Sequence, residues 1–374
     1  MKTRLLFLSA LALWLAGCHT GRKAEHAEAA APFAVKYAEG FTVRPYDGYT
    51  LVDVRDPWDT TRTLHRYVLV DRAAALPDEL PEGTLVRVPL QRIVCYSSVH
   101  CGMLDDLDLV DRVAGVCEAR FIDVPYIREG VARGTVADLG EASAPDVERI
   151  VLLAPEAIVA APLENAGYGR VGKTGIPVIE CVDYMESSPL GRAEWGRFLS
   201  LFLGNRAGAD SLFAATEAAY DSLKRLAAGV PNRPSVVTEK KYGSAWYMPG
   251  GRSYAANLLR DAGADYPWKD DPSTGSVPLS FETVLEKAGT ADFWLIKYNS
   301  DIPMTYGLLK REYDPYRRFR AFETHNVFVC NTGEKPYYEE LPMHPDRVLK
   351  DLIGIFHPEL LPGYRLRYYN RMTE

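Results

Sequence analysis

The chain has 374 residues, 47% of them hydrophobic, and carries 50 acidic against 43 basic side chains for a formal net charge of -7. That charge argues against a nucleic-acid partner, since phosphate binding takes a basic surface. The length exceeds what one hydrophobic core usually serves, so two or more lobes are expected.

At the N-terminus Lys2 and Arg4 precede an apolar run at residues 5–15, then Ala16 and Gly17, then Cys18. The run is too short to span a bilayer as a mature helix, and the Leu-Ala-Gly-Cys junction resembles the lipobox of lipoprotein signal peptides. Residues 1–17 are therefore expected to be removed, with Cys18 diacylated and residues 18–32, rich in Ala and Glu, serving as a tether. A plain secretory signal with an incidental Cys18 is the alternative. Lipidation leaves Cys95, Cys101, Cys117, Cys181 and Cys330, an odd number. Most lie in apolar runs and are expected as small buried hydrophobes, with a Cys95–Cys101 or Cys95–Cys117 bridge as the other option.

Residues 33–89 alternate apolar and polar positions, as in Thr50-Leu51-Val52-Asp53-Val54, between Gly and Pro signals. They predict an extension of antiparallel strands. From 90 to 190 the pattern turns to short apolar runs, Arg92-Ile93-Val94-Cys95-Tyr96 and Ala157-Ile158-Val159-Ala160-Ala161 among them, alternating with helical stretches; that rhythm predicts parallel βα units. In 191–229, Leu212, Phe213, Thr216, Tyr220, Leu223 and Leu226 recur at spacings of three and four. A shorter helix followed by a long one over 206–228, about 35 Å in length, is expected. A second βα series fills 230–374, opening at Pro234-Ser235-Val236-Val237-Thr238. The halves repeat: Glu148 opens a helix about nine residues before the strand at 157, and Glu282 opens one ten residues before the strand at 292. The predicted fold is α/β, two Rossmann-like lobes joined by a long backbone helix, with a small β-rich N-terminal extension.

Several segments carry a family resemblance. They are Arg92-Ile93-Val94, Val113-Ala114-Gly115-Val116, residues 134–140 followed by Pro145-Asp146-Val147-Glu148-Arg149-Ile150, Ala154-Pro155-Glu156-Ala157-Ile158-Val159, Gly175-Ile176-Pro177-Val178-Ile179 and Asp261-Ala262-Gly263-Ala264. In order and spacing they resemble the helical-backbone, class III periplasmic binding proteins of iron-siderophore, haem and cobalamin ABC importers, over about 92–358. The resemblance implies a non-enzymatic receptor, held in the periplasm by its lipid anchor. Such a receptor captures a ferric siderophore or a corrinoid between two lobes of modest closure and delivers it to a permease and ATPase complex. It also implies that Glu148 and Glu282, one per lobe, dock onto arginines of the two permease subunits. A haem or metal-ion receptor on the same scaffold, or an exported sensor without an importer, are the alternatives.

Ligands of open α/β sheets sit at the carboxyl ends of the strands. The expected ligand contacts are Tyr96, Ser97 and Ser98 after the first strand, Phe121 and Tyr126 after the second, and Leu163, Glu164 and Asn165 after the strand ending at Ala161. In the second lobe they are Trp246, Tyr247, Arg252 and Tyr254, the segment Ser273-Thr274-Gly275, and Tyr298 with Asn299. Aromatics interleaved with small polar residues suit a large flat or chelated ligand, and Arg252 suits a carboxylate or catecholate. For each aromatic the core is the competing location, and Ser97 and Ser98 also suit helix capping.

No cofactor and no metal centre is expected. Gly-x-Ser-x-Gly and His-Glu-x-x-His are absent from the sequence. The dinucleotide-like spacing at Gly167, Gly169 and Gly172 lies several residues past its strand, with Glu180 too close behind it. His100 and Cys101 lack a partnering His or acid nearby in sequence.

Overall fold

The computed structural model describes residues 33–374. The expected signal peptide, the Cys18 anchor and the tether lie outside the described residues. Four strands form the N-terminal sheet: β1 (Phe41–Tyr46), β2 (Tyr49–Arg55), β3 (Thr63–Asp71) and β4 (Thr84–Val88), in that order. The β1–β2 hairpin turns at Asp47-Gly48, where Gly48 has φ 79°, a conformation only glycine adopts without penalty. β2 is antiparallel to β1 and β3, but β4 runs parallel to β3, which corrects the expectation of antiparallel pairing throughout. Residues 72–83 give the chain room to return to the starting end before β4 begins.

The extension is built into the body. Phe41 packs against Trp195 and Phe198 at centroid distances of 5.0 and 5.2 Å, and Tyr67 meets Phe202 edge-on at 5.2 Å. Two buried carboxylates gather the backbone leading into β1: Glu194 accepts from the amides of Lys36, Tyr37 and Ala38, and Glu186 from those of Glu39 and Gly40.

Lobe one follows the βα pattern: β5 (Ile93–Cys95), α1 (Ser98–Asp106), β6 (Val113–Val116), α2 (Pro125–Arg133), β7 (Ala137–Asp138), α3 (Val147–Leu153), β8 (Ala157–Ala160) and β9 (Val178–Glu180). The five strands are parallel in the order β7-β6-β5-β8-β9. Helices cover such a sheet on both faces, which is why its strands read as unbroken apolar runs. β9 is an edge, and the extension closes it with one side chain. The Tyr67 hydroxyl donates to Val178 O at 2.8 Å and accepts from Glu180 N at 2.9 Å. An edge strand left unpaired would invite another chain.

Three helices lead out of lobe one: α4 (Pro189–Ala193), α5 (Trp195–Leu203) and α6 (Arg206–Ala228). α6 is capped by Asn205 at φ 56°, whose side chain accepts from Gly208 N. Its 23 residues reach about 35 Å. Toward lobe two, the Thr216 hydroxyl donates to Met343 O at 3.0 Å and the Tyr220 hydroxyl to Asp261 Oδ2 at 2.9 Å.

Lobe two comprises β10 (Val236–Thr238), β11 (Trp246–Pro249), α7 (Tyr254–Asp261), β12 (Ser276–Leu279), α8 (Phe281–Ala288), β13 (Phe293–Tyr298), α9 (Tyr306–Glu312), α10 (Arg320–Glu323), β14 (Val327–Asn331), α11 (Tyr337–Glu340), α12 (Pro345–Phe356) and β15 (Asn370–Arg371). β10, β13 and β14 are parallel neighbours with β15 antiparallel at the edge, and β11 pairs with β12 as a separate antiparallel two-stranded sheet. The lobes meet where α11 packs onto α1. A Cβ on Gly102 of α1 would stand 2.4 Å from the Glu339 carbonyl oxygen, so this close approach requires glycine. Cys95, Cys101, Cys117, Cys181 and Cys330 are all buried and free, without either bridge.

Candidate functional site: a cleft at the strand ends

The segments that follow β5, β6 and β9 in lobe one and β10, β13 and β14 in lobe two line a cleft at the strand ends. The largest part is a cavity of about 610 Å³. Tyr184 and Met185, after β9, supply its lobe-one side. Lobe two supplies Tyr247 and Pro249 of β11, Tyr254, Leu258 and Leu259 of α7, Tyr337 and Tyr338 of α11, and Tyr369. Glu239, after β10, and Lys297, near the end of β13, complete its lining. A second cavity of about 370 Å³ shares Glu239, Lys297 and Tyr338 with the first and adds Ser98 and Phe121 opposite Tyr298, Asn299 and Thr332. A third, about 360 Å³, sets Arg120, Phe121, Asp123 and Arg128 against Asn299–Asp301 and Asn331–Glu334.

The walls are tyrosine-rich. Burial pushes the Tyr184 phenol up to about 12 and raises those of Tyr337, Tyr338 and Tyr369 as well. They therefore present rings for stacking and hydroxyls for donation. Behind Tyr254, the Arg192 guanidinium lies 4.5 Å from the ring centroid. Arg192 Nε donates to Asp183 Oδ2 at 3.0 Å, and His100 Nε2 lies 3.3 Å from Asp183 Oδ1, all three side chains being buried. Burial opposes the Asp183 charge, but Arg192 and His100 outweigh it and hold the carboxyl below its ordinary range. This network fixes Tyr254 from behind, and it gives His100 a structural role.

Lys297 and Glu239 form an ion pair where the first two cavities join, with side chains 20% and 26% exposed. Burial works against the lysine charge, yet Glu239 together with Tyr369, Tyr337 and Tyr338 outweighs it and keeps the ammonium pKa well above its ordinary value. Glu239 has φ 61°, the left-handed region that non-glycine residues seldom occupy.

Among the expected contacts, Ser98, Phe121, Tyr247, Tyr254, Tyr298 and Asn299 line the cleft. Trp246, Tyr96 and Ser97 are corrected. Trp246 is 0% exposed and belongs to the lobe-two core, against Trp294 at 5.6 Å and Phe319 at 5.5 Å, its Nε1 donating to Thr238 O. The segment is strand β11, so side chains alternate: Trp246 and Met248 point inward, Tyr247 and Pro249 toward the cavity. Tyr96 is buried in the lobe-one core. Ser97 is the N-cap of α1, accepting from Val99 N at 3.2 Å. Tyr126, on α2, and Asn165, at φ 56°, stand outside the three cavities, and so does the exposed Arg252, whose amide donates to Ser273 O. Sequence reasoning missed Tyr184, Glu239, Lys297, Tyr337, Tyr338 and Tyr369. A lysine closing the apolar run Phe293-Trp294-Leu295-Ile296 was the available signal.

Glu148 and Glu282 occupy equivalent places, the second position of α3 and of α8. Asp146 caps the first helix by accepting from Arg149 N, and Ser280 the second by accepting from Thr283 N. Both carboxylates are exposed. On α3 the apolar Val151 and Leu152 are exposed beside Glu148, Leu152 to 85%.

Two α/β lobes on a spanning helix, with a walled cleft at their facing strand ends, define a bilobed solute-binding protein. Residues 93–332 match the periplasmic binding protein family, and the chain belongs to it. An uncharacterized lipoprotein of Methanocaldococcus jannaschii is 26% identical over 354 residues, covering 88% of this chain and 81% of the relative. The fold is shared with a periplasmic haem-binding protein of Pseudomonas aeruginosa, at TM-score 0.60 and 16% identity over 76% of this chain and 99% of that one. It is also shared with a protein described as an ABC-type Fe3+-hydroxamate transport system from Saccharomonospora viridis, at TM-score 0.56 and 16% identity over 72% and 94%.

Proposed function

We propose that this chain is the substrate-binding lipoprotein of an ABC importer, holding an iron complex such as a ferric siderophore, or a corrinoid such as cobalamin, between its lobes. The observation that carries this reading is the tyrosine-walled cavity of about 610 Å³ at the carboxyl ends of both sheets. Tyrosine rings offer wide contact area at small entropy cost to a large, partly apolar chelate. Acylation of Cys18 anchors the protein to a membrane, so that the body from residue 33 onward meets ligand in the periplasm. Calorimetric titration with ferric siderophores, haem, cobalamin and cobinamide is the test. At least one should bind with micromolar or tighter affinity, and no heat from any of them would defeat the reading.

Delivery rests on Glu148 and Glu282. Paired acids at equivalent positions of the two lobes suit the paired cations of a two-subunit permease, and charge pairing of this kind sets register and speeds encounter. The Glu148→Ala, Glu282→Ala double variant should keep ligand affinity and melting temperature while losing permease association and uptake. Normal uptake with a slightly lower melting point would reduce both to first-turn acids complementing helix dipoles.

A further inference from the structure

The junction of the first two cavities holds a positive charge, and a carboxylate already stands on it. β13 runs through the lobe-two core as Trp294, Leu295 and Ile296, then places Lys297 at the junction of the first two cavities. The ammonium lies 5.7 Å from the Tyr337 ring centroid, and Glu239 is its ion-pair partner among the described residues. Of the other lysines along the cavity, Lys240 is paired with Glu312 and Lys241 donates to Gly243 O. Neither lies at the junction.

Glu239 is held in a particular way. Its amide donates to Leu295 O at 2.7 Å and its carbonyl accepts from Trp294 Nε1 at 2.6 Å, which fixes the backbone at φ 61°. A non-glycine residue kept in this region costs energy that its surroundings must offset, and such positions gather at binding sites. With the backbone clamped, the carboxylate is the part free to turn. It faces both cavities and can leave Lys297 without disturbing the sheet.

We infer that Lys297 is the anion-binding point of the cleft, that Glu239 occupies it until ligand arrives, and that the ligand carries an acidic oxygen, carboxylate or catecholate, which displaces Glu239. This deepens the receptor reading and rests on it. An acidic oxygen entering a tyrosine-walled chamber needs a cation to offset its lost hydration, and Lys297 is set at its junction beside the Tyr337 ring. An uncharged ligand would leave the Lys297–Glu239 pair intact and draw nothing from it. The cleft thereby favours anionic chelates over uncharged corrinoids of the same size.

Fluorescence titration of the full chain with matched probes tests this: haemin against its dimethyl ester, and a ferric tris-catecholate against an uncharged ferric trihydroxamate. The acidic member of at least one pair should bind more tightly, and its advantage should shrink at about 0.5 M salt. Lys297→Met should weaken that member by about tenfold to a hundredfold and leave its uncharged counterpart within about twofold. Glu239→Gln should strengthen it by removing the competitor. Equal binding of acidic and masked members overturns the inference while the receptor reading stands; binding of no probe and no corrinoid overturns both. If Lys297→Met does not fold, the wild-type preference, its salt dependence and the Glu239→Gln gain still decide.

Discussion

Replacing Tyr67 with Phe removes one oxygen and tests whether the N-terminal extension is part of the working body. The ring should stay, since His65 stacks on it at 4.2 Å and Phe202 meets it at 5.2 Å. Only the hydroxyl is lost, and with it the bonds to Val178 O and Glu180 N on the edge of the lobe-one sheet. Tyr67 is fully buried, and Val178 and Glu180 are 9% and 7% exposed, so water has little access to either orphaned group. A buried backbone group left without a partner costs about 1–3 kcal/mol, which puts the pair at about 2–6 kcal/mol. That is a large fraction of the 5–15 kcal/mol by which domains are usually stable. Urea unfolding should show the loss as a lower midpoint with unchanged slope. Hydrogen exchange should show the Glu180 amide protected in the wild type and fast in the variant. A change below about 0.5 kcal/mol with Glu180 still protected would mean that the hydroxyl does not close β9.

Trp246→Ala should destabilise the protein by about 3–5 kcal/mol, because it empties the centre of the lobe-two aromatic cluster, and any loss of binding should track unfolding; weaker binding at full stability would return Trp246 to the site. Burial alone would raise the Glu340 carboxyl, but hydrogen bonds from Arg367 and Tyr368, with Arg347 beside them, outweigh it and hold the carboxyl at about 2 against an ordinary 4.5. A depressed carboxyl stabilises the fold above its unfolded pKa and loses that contribution as pH falls toward its folded one. Between about pH 5 and 2 the wild type should therefore lose on the order of 2 kcal/mol more than Glu340→Gln, and parallel acid-unfolding curves would refute the assignment.

Much of the fold was legible because its signals are local. α6 shows in the three- and four-residue spacing that ends at Leu226, and the structure sets it at Arg206–Ala228. β5 and β8 show as apolar runs because parallel strands covered on both faces have no polar side to alternate with. The direction of β4 was not legible, since parallel and antiparallel neighbours bury the same residues and differ only in the path of residues 72–83. Nor was the docking of the extension, which depends on Tyr67 meeting Val178 and Glu180 more than a hundred positions away.

The site obeys a different logic. Trp246 and Tyr247 are adjacent and chemically alike, yet one fills a core and the other faces the cleft, because a strand sends neighbours to opposite sides and only pairing with β12 reveals which side is which. Tyr184, Tyr337, Tyr338 and Tyr369 come from separate segments that nothing in the sequence joins; they converge because α11 seats on α1 against Gly102 and the C-terminal segment returns as β15 beside β14. Lys297 and Glu239 differ from these. A lysine at the end of a buried strand and a glutamate after a buried one both break the local apolar pattern, and local rules are broken where a site has use for the violation. The charged residues of this cleft were thus marked in the sequence by their misfit, whereas its aromatics, which fit the core equally well, required the folded chain to be told apart.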